Sequence, residues 1–197
     1  MIATTSATAR MIGPADDGME LTREEYAVAE WVEGVRFERV NGKLVVMPPA
    51  GHEHYVTSEP IRDYLVVYKV AHRDLVEHIF EEAWTAIDED TDRIPDIAVY
   101  LRTRSEGLRI PDRIPEIIFE IVSPGRANRR RDYDEKRDEY ERLGVLEYVI
   151  VDRFDHEVTV LRLVDGTYQE QILKPADTYR SPLLPGLEIP LQPIIGS

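Results

Sequence analysis

The chain has 197 residues, 43% of them hydrophobic, which suits one compact domain with appendages and excludes disorder of the whole chain. It contains no cysteine, and this excludes disulfides, thiolate zinc sites and a cysteine nucleophile. A net charge of -14 counts against a general nucleic-acid binder, although a local basic patch can work on an acidic body.

Met1 to Gly18 is rich in Ala, Thr, Gly and Asp and has no periodicity. It is expected to be a flexible tail, with a single domain over 19–197. The tail lacks a basic start followed by an apolar run, so no secretory signal is read in it. No apolar run approaches the roughly 18 residues that span a membrane. A cytoplasmic protein without a membrane partner is therefore expected. Thr22-Arg23-Glu24-Glu25 has the spacing of a capping box and predicts a short helix through about Trp31. Val35 to Val40 alternates, Asn41-Gly42 is a hairpin turn, and Lys43 to Met47 is the returning strand, ended by Pro48-Pro49.

Ile61, Leu65 and Tyr68 recur at helical spacing between His52 and His72. Pro60 implies a helix that begins near Ser58 or a longer one kinked there. Val76 to Phe80 and Ala83 to Ile87 read as strands. An acidic turn follows at Asp88 to Asp92, and Pro95-Asp96 leads into a buried-type strand over Ile97 to Leu101. After a polar loop from Arg102 to Arg113, Glu116 to Val122 is a strand stopped by Ser123-Pro124-Gly125. Arg126 to Arg131 is a basic run before a helix from about Asp132 to Leu143, which Gly144 stops. Glu147 to Val151 is a strand. Val158 to Leu163 and Tyr168 to Leu173 form a hairpin around Asp165-Gly166, and the proline-rich end is expected to wrap the surface. The pattern predicts an α/β fold, a mixed β-sheet flanked by helices.

Asp96 opens one apolar strand and Glu120 lies inside another, 24 residues on. An unpaired buried carboxylate is costly, and two on paired strands would repel each other. A divalent cation resolves both costs. With no cysteine and five histidines, its ligands would be mostly oxygens, which favours magnesium, manganese or calcium. Singly, Asp96 could instead cap a turn after Pro95, and Glu120 could pair with an arginine. Asp132, Lys136 and Tyr140 share one helical face, either as a solvated salt-bridged surface or with Lys136 turned toward the two acids.

Four segments together carry a resemblance: Arg93-Ile-Pro-Asp-Ile-Ala-Val-Tyr100, Pro115-Glu-Ile-Ile-Phe-Glu-Ile-Val-Ser-Pro124, Asp132-Tyr-Asp-Glu-Lys136 through Tyr140, and Gly144-Val-Leu-Glu-Tyr-Val-Ile-Val-Asp152. With the upstream hairpin Arg36 to Pro49 and a following histidine, they resemble the Uma family of putative restriction endonucleases. That family lies within the PD-(D/E)XK nucleases. The likeness runs from about Leu21 to Leu173. It implies a restriction-endonuclease-like fold with an N-terminal helix and hairpin.

The resemblance also implies roles. Asp96 matches the aspartate of the Pro-Asp motif and Glu120 the acid of the Glu-X-Lys motif. Val122 stands where that motif has its lysine, and Lys136 matches a lysine supplied from the next helix. Glu38 matches a family glutamate that would reach the metal directly or through water. His54, with His52 as competitor, matches a histidine that would contact substrate or cap the helix.

The implied activity is Mg2+-dependent DNA cleavage, with Mn2+ able to substitute. Asp96, Glu120 and the Ile121 carbonyl would be ligands and Lys136 would assist a water. Arg126, Arg129, Arg130 and Arg131 would contact the nucleic-acid backbone, with Tyr140 at the substrate, or else form a solvated loop. A homodimer would allow both strands of a duplex to be cut. A non-enzymatic interaction protein on a nuclease scaffold, and a hydrolase of small phosphorylated ligands, are the competing readings.

Overall fold

The computed structural model describes residues 11–47, 49–102 and 108–196. Residues 1–10 of the expected tail and 103–107 of the expected polar loop lie outside them. In chain order the elements are β1 (Met11–Ile12), α1 (Arg23–Val28), β2 (Glu30–Trp31), β3 (Arg36–Val40), β4 (Lys43–Met47), α2 (His52–Ala71), β5 (Val76–Glu81), β6 (Thr85–Ala86), β7 (Asp92–Arg93), β8 (Ile97–Leu101) and β9 (Ile117–Ile121). Then come α3 (Arg126–Arg130), a π-type turn (Arg131–Glu135), α4 (Lys136–Leu143), β10 (Glu147–Asp152), β11 (Glu157–Val164), β12 (Thr167–Leu173), β13 (Thr178–Tyr179), β14 (Ile189–Pro190) and α5 (Gln192–Ile195). Where the sequence suggests one domain from residue 19, the contacts divide the chain into two compact units. One comprises residues up to Pro49 with Ile87–Arg93; the other comprises Ala50–Ala86 and Ile94 onward. No helix among the described residues is long and apolar enough to cross a membrane.

The first unit is built on the β3–β4 hairpin. Asn41 and Gly42 both take positive φ, 50° and 74°, as a two-residue turn matched to strand twist requires. Thr22 and Glu25 close the expected capping box, but α1 ends at Val28, and Glu30–Trp31 instead pairs in parallel with Met11–Ile12. Residues 11–18 are therefore structured rather than tail-like: the Gly18 N–H donates to the Leu44 carbonyl, and the Val46 N–H to Asp17. Trp31 stacks on Phe37 and meets Tyr26 edge-on, both at 4.9 Å. Arg39 is held by Asp92 at 2.7 Å and Arg93 by Glu38 at 2.8 Å, and all four are buried.

The second unit is a six-stranded mixed sheet in the order β12-β11-β10-β9-β8-β5. Strands β9 and β10 are parallel, and the connection between them carries α3, the π-type turn and α4. The other pairings are antiparallel. Alternation sorts the central strands into two faces. Ile97, Val99, Ile117, Phe119, Ile121, Val149 and Val151 join Ile61, Leu65 and Tyr68 of α2 in the main core. Ala98, Ile118, Glu120 and Tyr148, one residue out of phase, point to the opposite face.

Two expectations change here, and of the two readings offered for Pro60 the longer helix is the one found. Helix α2 runs unbroken from His52 through Pro60; Val56, whose carbonyl Pro60 cannot serve, is half exposed, so water can take that acceptor. The basic run is already helical from Arg126. The proline-rich end does not wrap the surface: Leu184, Leu187, Ile189, Leu191, Ile194 and Ile195 are buried in the main core. The prolines interrupt any regular period there, so the sequence hides this apolar contribution. Leu184→Ala should therefore lower unfolding free energy by about 2–5 kcal/mol. Urea denaturation would measure it, and a change within ~0.5 kcal/mol would mark a surface position.

Candidate functional site

The site lies where β8 and β9 meet, with Glu120 on the sheet face opposite the α2 core contacts and Asp96 within reach of the start of α2. Asp96 stands just before β8, and Glu120 is the fourth residue of β9. Because Ile97 pairs with Phe119, these two strand ends are neighbours. Both acids are almost wholly buried, at 8% and 3% exposure. Asp96 Oδ2 accepts from the Ile121 backbone N–H at 2.8 Å and lies 3.0 Å from His54 Nε2. His54, near the start of α2, thus reaches the first carboxylate. Its Nδ1 is buried with no hydrogen-bond partner among the described residues.

Glu120 meets the helical connection. Lys136 Nζ donates to Glu120 Oε1 at 2.7 Å, and the Tyr140 hydroxyl donates to the same oxygen at 3.0 Å. Lys136 and Tyr140 are themselves buried, one turn apart on α4. Gly144, at φ 85°, stops that helix by returning its N–H to the Tyr140 and Glu141 carbonyls. Val122 is buried just beyond the end of β9, and the cation beside Glu120 comes from α4.

Asp132 is the residue that the sequence places on the right face without giving it a role. It is 1% exposed, and its carboxylate lies 3.9 Å from Lys136 Nζ and 3.4 Å from Arg131 Nε. Its carbonyl accepts from the Tyr148 hydroxyl at 3.0 Å. It sits in the π-type turn, a widened geometry frequent at functional sites. The i, i+4 spacing to Lys136 was the available signal. Burial of the whole face, which decides that Asp132 belongs to the site, depends on the distant strands β9 and β10.

The electrostatics follow from three acids on one dry face. Burial pushes the Glu120 carboxyl up to about 8; Lys136 opposes the shift, while the charges of Asp96 and Asp132 add to it. Burial also raises Asp132, against Lys136 and Arg131 and with Asp96. Among the described residues no group of three or more His, Asp or Glu side chains stands in metal-holding geometry.

Glu38 lies on β3 of the first unit, paired with Arg93. Arg129 is committed to Asp152 and Asp155, and its guanidinium lies 4.7 Å from the Tyr133 ring centre. Arg130 is exposed, with Glu135 at 3.6 Å, and Arg126 is exposed. His52, the competitor of His54, is exposed at the first position of α2.

Comparison with known proteins bears on the family and the fold. The model of the Uma2 family, described as "Putative restriction endonuclease", matches residues 23–192. A solved structure of "a putative nuclease belonging to DUF820" from Anabaena variabilis superposes with a TM-score of 0.68 at 17% identity, covering 89% of this chain and 98% of that one. At that identity the likeness shows the fold. No curated protein matches.

The raised Glu120 carboxyl makes a stability prediction. An acid whose pKa is higher folded than unfolded binds its proton more tightly in the native state. Its contribution is full below the unfolded value, near 4.3, and is lost as pH rises toward about 8. Metal-free protein should lose stability over that window, and Glu120→Gln should flatten the loss. Urea melts from pH 4 to 9 in chelator would show it; equal slopes in both proteins would contradict the assignment.

Proposed function

Because the chain belongs to the Uma2 family of putative restriction endonucleases, we propose that it is a metal-dependent endonuclease that hydrolyses phosphodiester bonds in DNA. The observation that carries the reading is the convergence of Asp96, Glu120 and Lys136 on one buried patch at the ends of adjacent strands. A purely structural ion pair would need only one acid for one lysine. Here Asp96, Glu120 and Asp132 share the patch with Lys136 and Arg131, so three acids face two basic side chains.

A hard divalent cation fits that excess. Its donors would be the Asp96 and Glu120 carboxylates, with the Ile121 carbonyl as a third oxygen, a set suited to Mg2+ with Mn2+ as substitute. When bound, the ion would polarise the phosphate and lower the pKa of a coordinated water.

The chain's own groups do the rest. Tyr140 and Lys136 fix one Glu120 oxygen and leave the carboxylate a single orientation. Lys136 supplies positive charge where negative charge builds on the phosphate. His54 and the Ile121 N–H hold Asp96 through its Oδ2. Arg126 and Arg130, exposed on α3, would meet backbone phosphates, whereas Arg129 is already used by two acids. A homodimer would supply two such sites for the two strands of a duplex.

Plasmid nicking with Mg2+ or Mn2+ tests the proposal. Asp96→Asn, Glu120→Gln and Lys136→Met should each reduce the rate by at least about a hundredfold, the scale expected when a charge acting on the transition state is removed. Activity retained in Asp96→Asn and Glu120→Gln would defeat it. Calorimetry that finds neither divalent-metal binding nor DNA affinity at low salt would favour an interaction module on a nuclease scaffold.

A further inference from the structure

Strand β5 lies at one edge of the six-stranded sheet. The Glu82 N–H donates to the Asp96 carbonyl, and two residues back Phe80 pairs with Ala98. In an antiparallel ladder this turns the backbone groups of Phe80 and Glu82 toward β8. Those of Ile79 and Glu81 then point to the open side, where the sheet has no further strand. Natural edges are commonly blunted by lysine or proline, and β5 has neither. A register shift near Val76 leaves His78 to Glu81 as a regular, open stretch.

The face of α2 beside this edge is apolar in the middle and oppositely charged at its ends. Glu59, Asp63, Val66, Val70 and Arg73 recur at helical spacing, and both valines are exposed, as is Val67. Arg62 lies 3.6 Å from Glu81, which sets the start of this stripe beside the end of β5. That end is acidic: Glu59, Asp63 and Glu81 share the single cation Arg62, and Glu82 follows. The other end is basic. Lys69, Arg73 and Arg102 line a groove of about 430 Å³ between helix and strand, with Val66, Val70 and Ile79. Arg102 Nε donates to the Arg73 carbonyl at 2.6 Å. Of the acids near that end, Glu77 is taken by Arg113 and Asp74 lies by Tyr68.

We propose that β5 pairs antiparallel with β5 of a second copy, about a two-fold axis beside Phe80, joining the two six-stranded sheets into one. Ile79 of each copy then exchanges backbone hydrogen bonds with Glu81 of the other, and the two Phe80 side chains meet. An axis on Ile79 would instead set Glu77 opposite Glu81, a like-charge pair. Any strand can satisfy the open backbone groups. The patch, however, carries its own charge complement: a two-fold axis reverses it end for end, so acidic meets basic at both ends and valines meet between them. That self-complementarity selects a second copy. Glu120 lies on the sheet face opposite the α2 core contacts, so a two-fold axis perpendicular to the sheet leaves both carboxylate sites on one face. This specifies the homodimer of the nuclease reading, but the interface rests on the edge and not on cleavage, so it is tested without metal or nucleic acid.

The experiment is sedimentation velocity of the full chain in chelator, from about 1 to 100 µM, where a concentration-dependent dimer is expected. Glu81→Pro removes an outward N–H and leaves the bonds to β8 in place, and should weaken the dimer at least about tenfold. Charge reversal tests the choice of partner. A Lys69→Glu/Arg73→Glu protein and a Glu59→Lys/Asp63→Lys protein should each dimerise at least about tenfold more weakly alone, and an equimolar mixture should restore dimer. Circular dichroism would check that every variant folds. A chain that stays monomeric throughout, leaving the edge to a strand of another protein, would overturn the proposal. So would a dimer indifferent to Glu81→Pro in the folded variant, or a mixture of folded charge variants that forms no more dimer than either alone.

Discussion

The carboxylate of Glu120 is buried inside a parallel strand pair, and the organisation of that face of the sheet depends on how its charge is met. The companion lysine is not available in the strand, because Val122 occupies the position two residues on. The cation has to arrive from the crossover, which ties the site to the helical connection between β9 and β10. Lys136 and Tyr140 lie one turn apart, so the same helix face delivers a charge and a hydroxyl to one oxygen. Gly144 then ends the helix so that the chain can turn into β10 and lay Tyr148 beneath Asp132 and against Tyr140. A buried pair of this kind is a poor source of net stability, since desolvation offsets most of the attraction. Its retention on a face with two further acids is better understood as positioning.

How much of this was legible in the sequence can be judged residue by residue. The hairpin was plain, because Asn41-Gly42 between alternating runs has few other uses. Asp96 and Glu120 stood out as acids where the surrounding residues are apolar on both sides. The fold class followed from the order of strands and helices, and the mixed sheet and nuclease-like neighbour agree with it. In each case the signal was local: a turn type, a period, or a polar residue in an apolar window.

What could not be read was set by distant contacts. Asp132 looks like any acid on a charged helix until the strands that bury it are in place. The basic run looked like a loop because four arginines repel one another, yet Arg129 is drawn to Asp152 and Asp155, more than 20 residues on, and the segment is helical from Arg126. The C-terminal segment was hidden for a different reason. Its prolines break periodicity, but a nonperiodic segment can still seat six apolar side chains in a core, because burial requires shape and not a regular element. Pro60 left two helix starts open in the sequence, and the longer helix is the one found, since a proline inside a helix removes only one backbone hydrogen bond.

The net charge of -14 is the feature least expected of a protein that handles nucleic acid, and it is what remains after every cation is counted against an acid. Asp152 and Asp155 take up Arg129, Asp92 takes up Arg39 and Arg23, and Glu147 takes up Arg162. These acids neutralise arginines within the fold and contribute little to the outward field. The same pairings also remove arginines from service, so the basic run offers fewer free guanidiniums than its sequence suggests. An association steered by a broad positive surface is therefore a poor match to this chain. A site that would neutralise phosphate locally, through Lys136, a cation held by the carboxylates and exposed arginines such as Arg126 and Arg130, is compatible with an acidic body, because the charge that matters is then the one within a few ångströms of the phosphate.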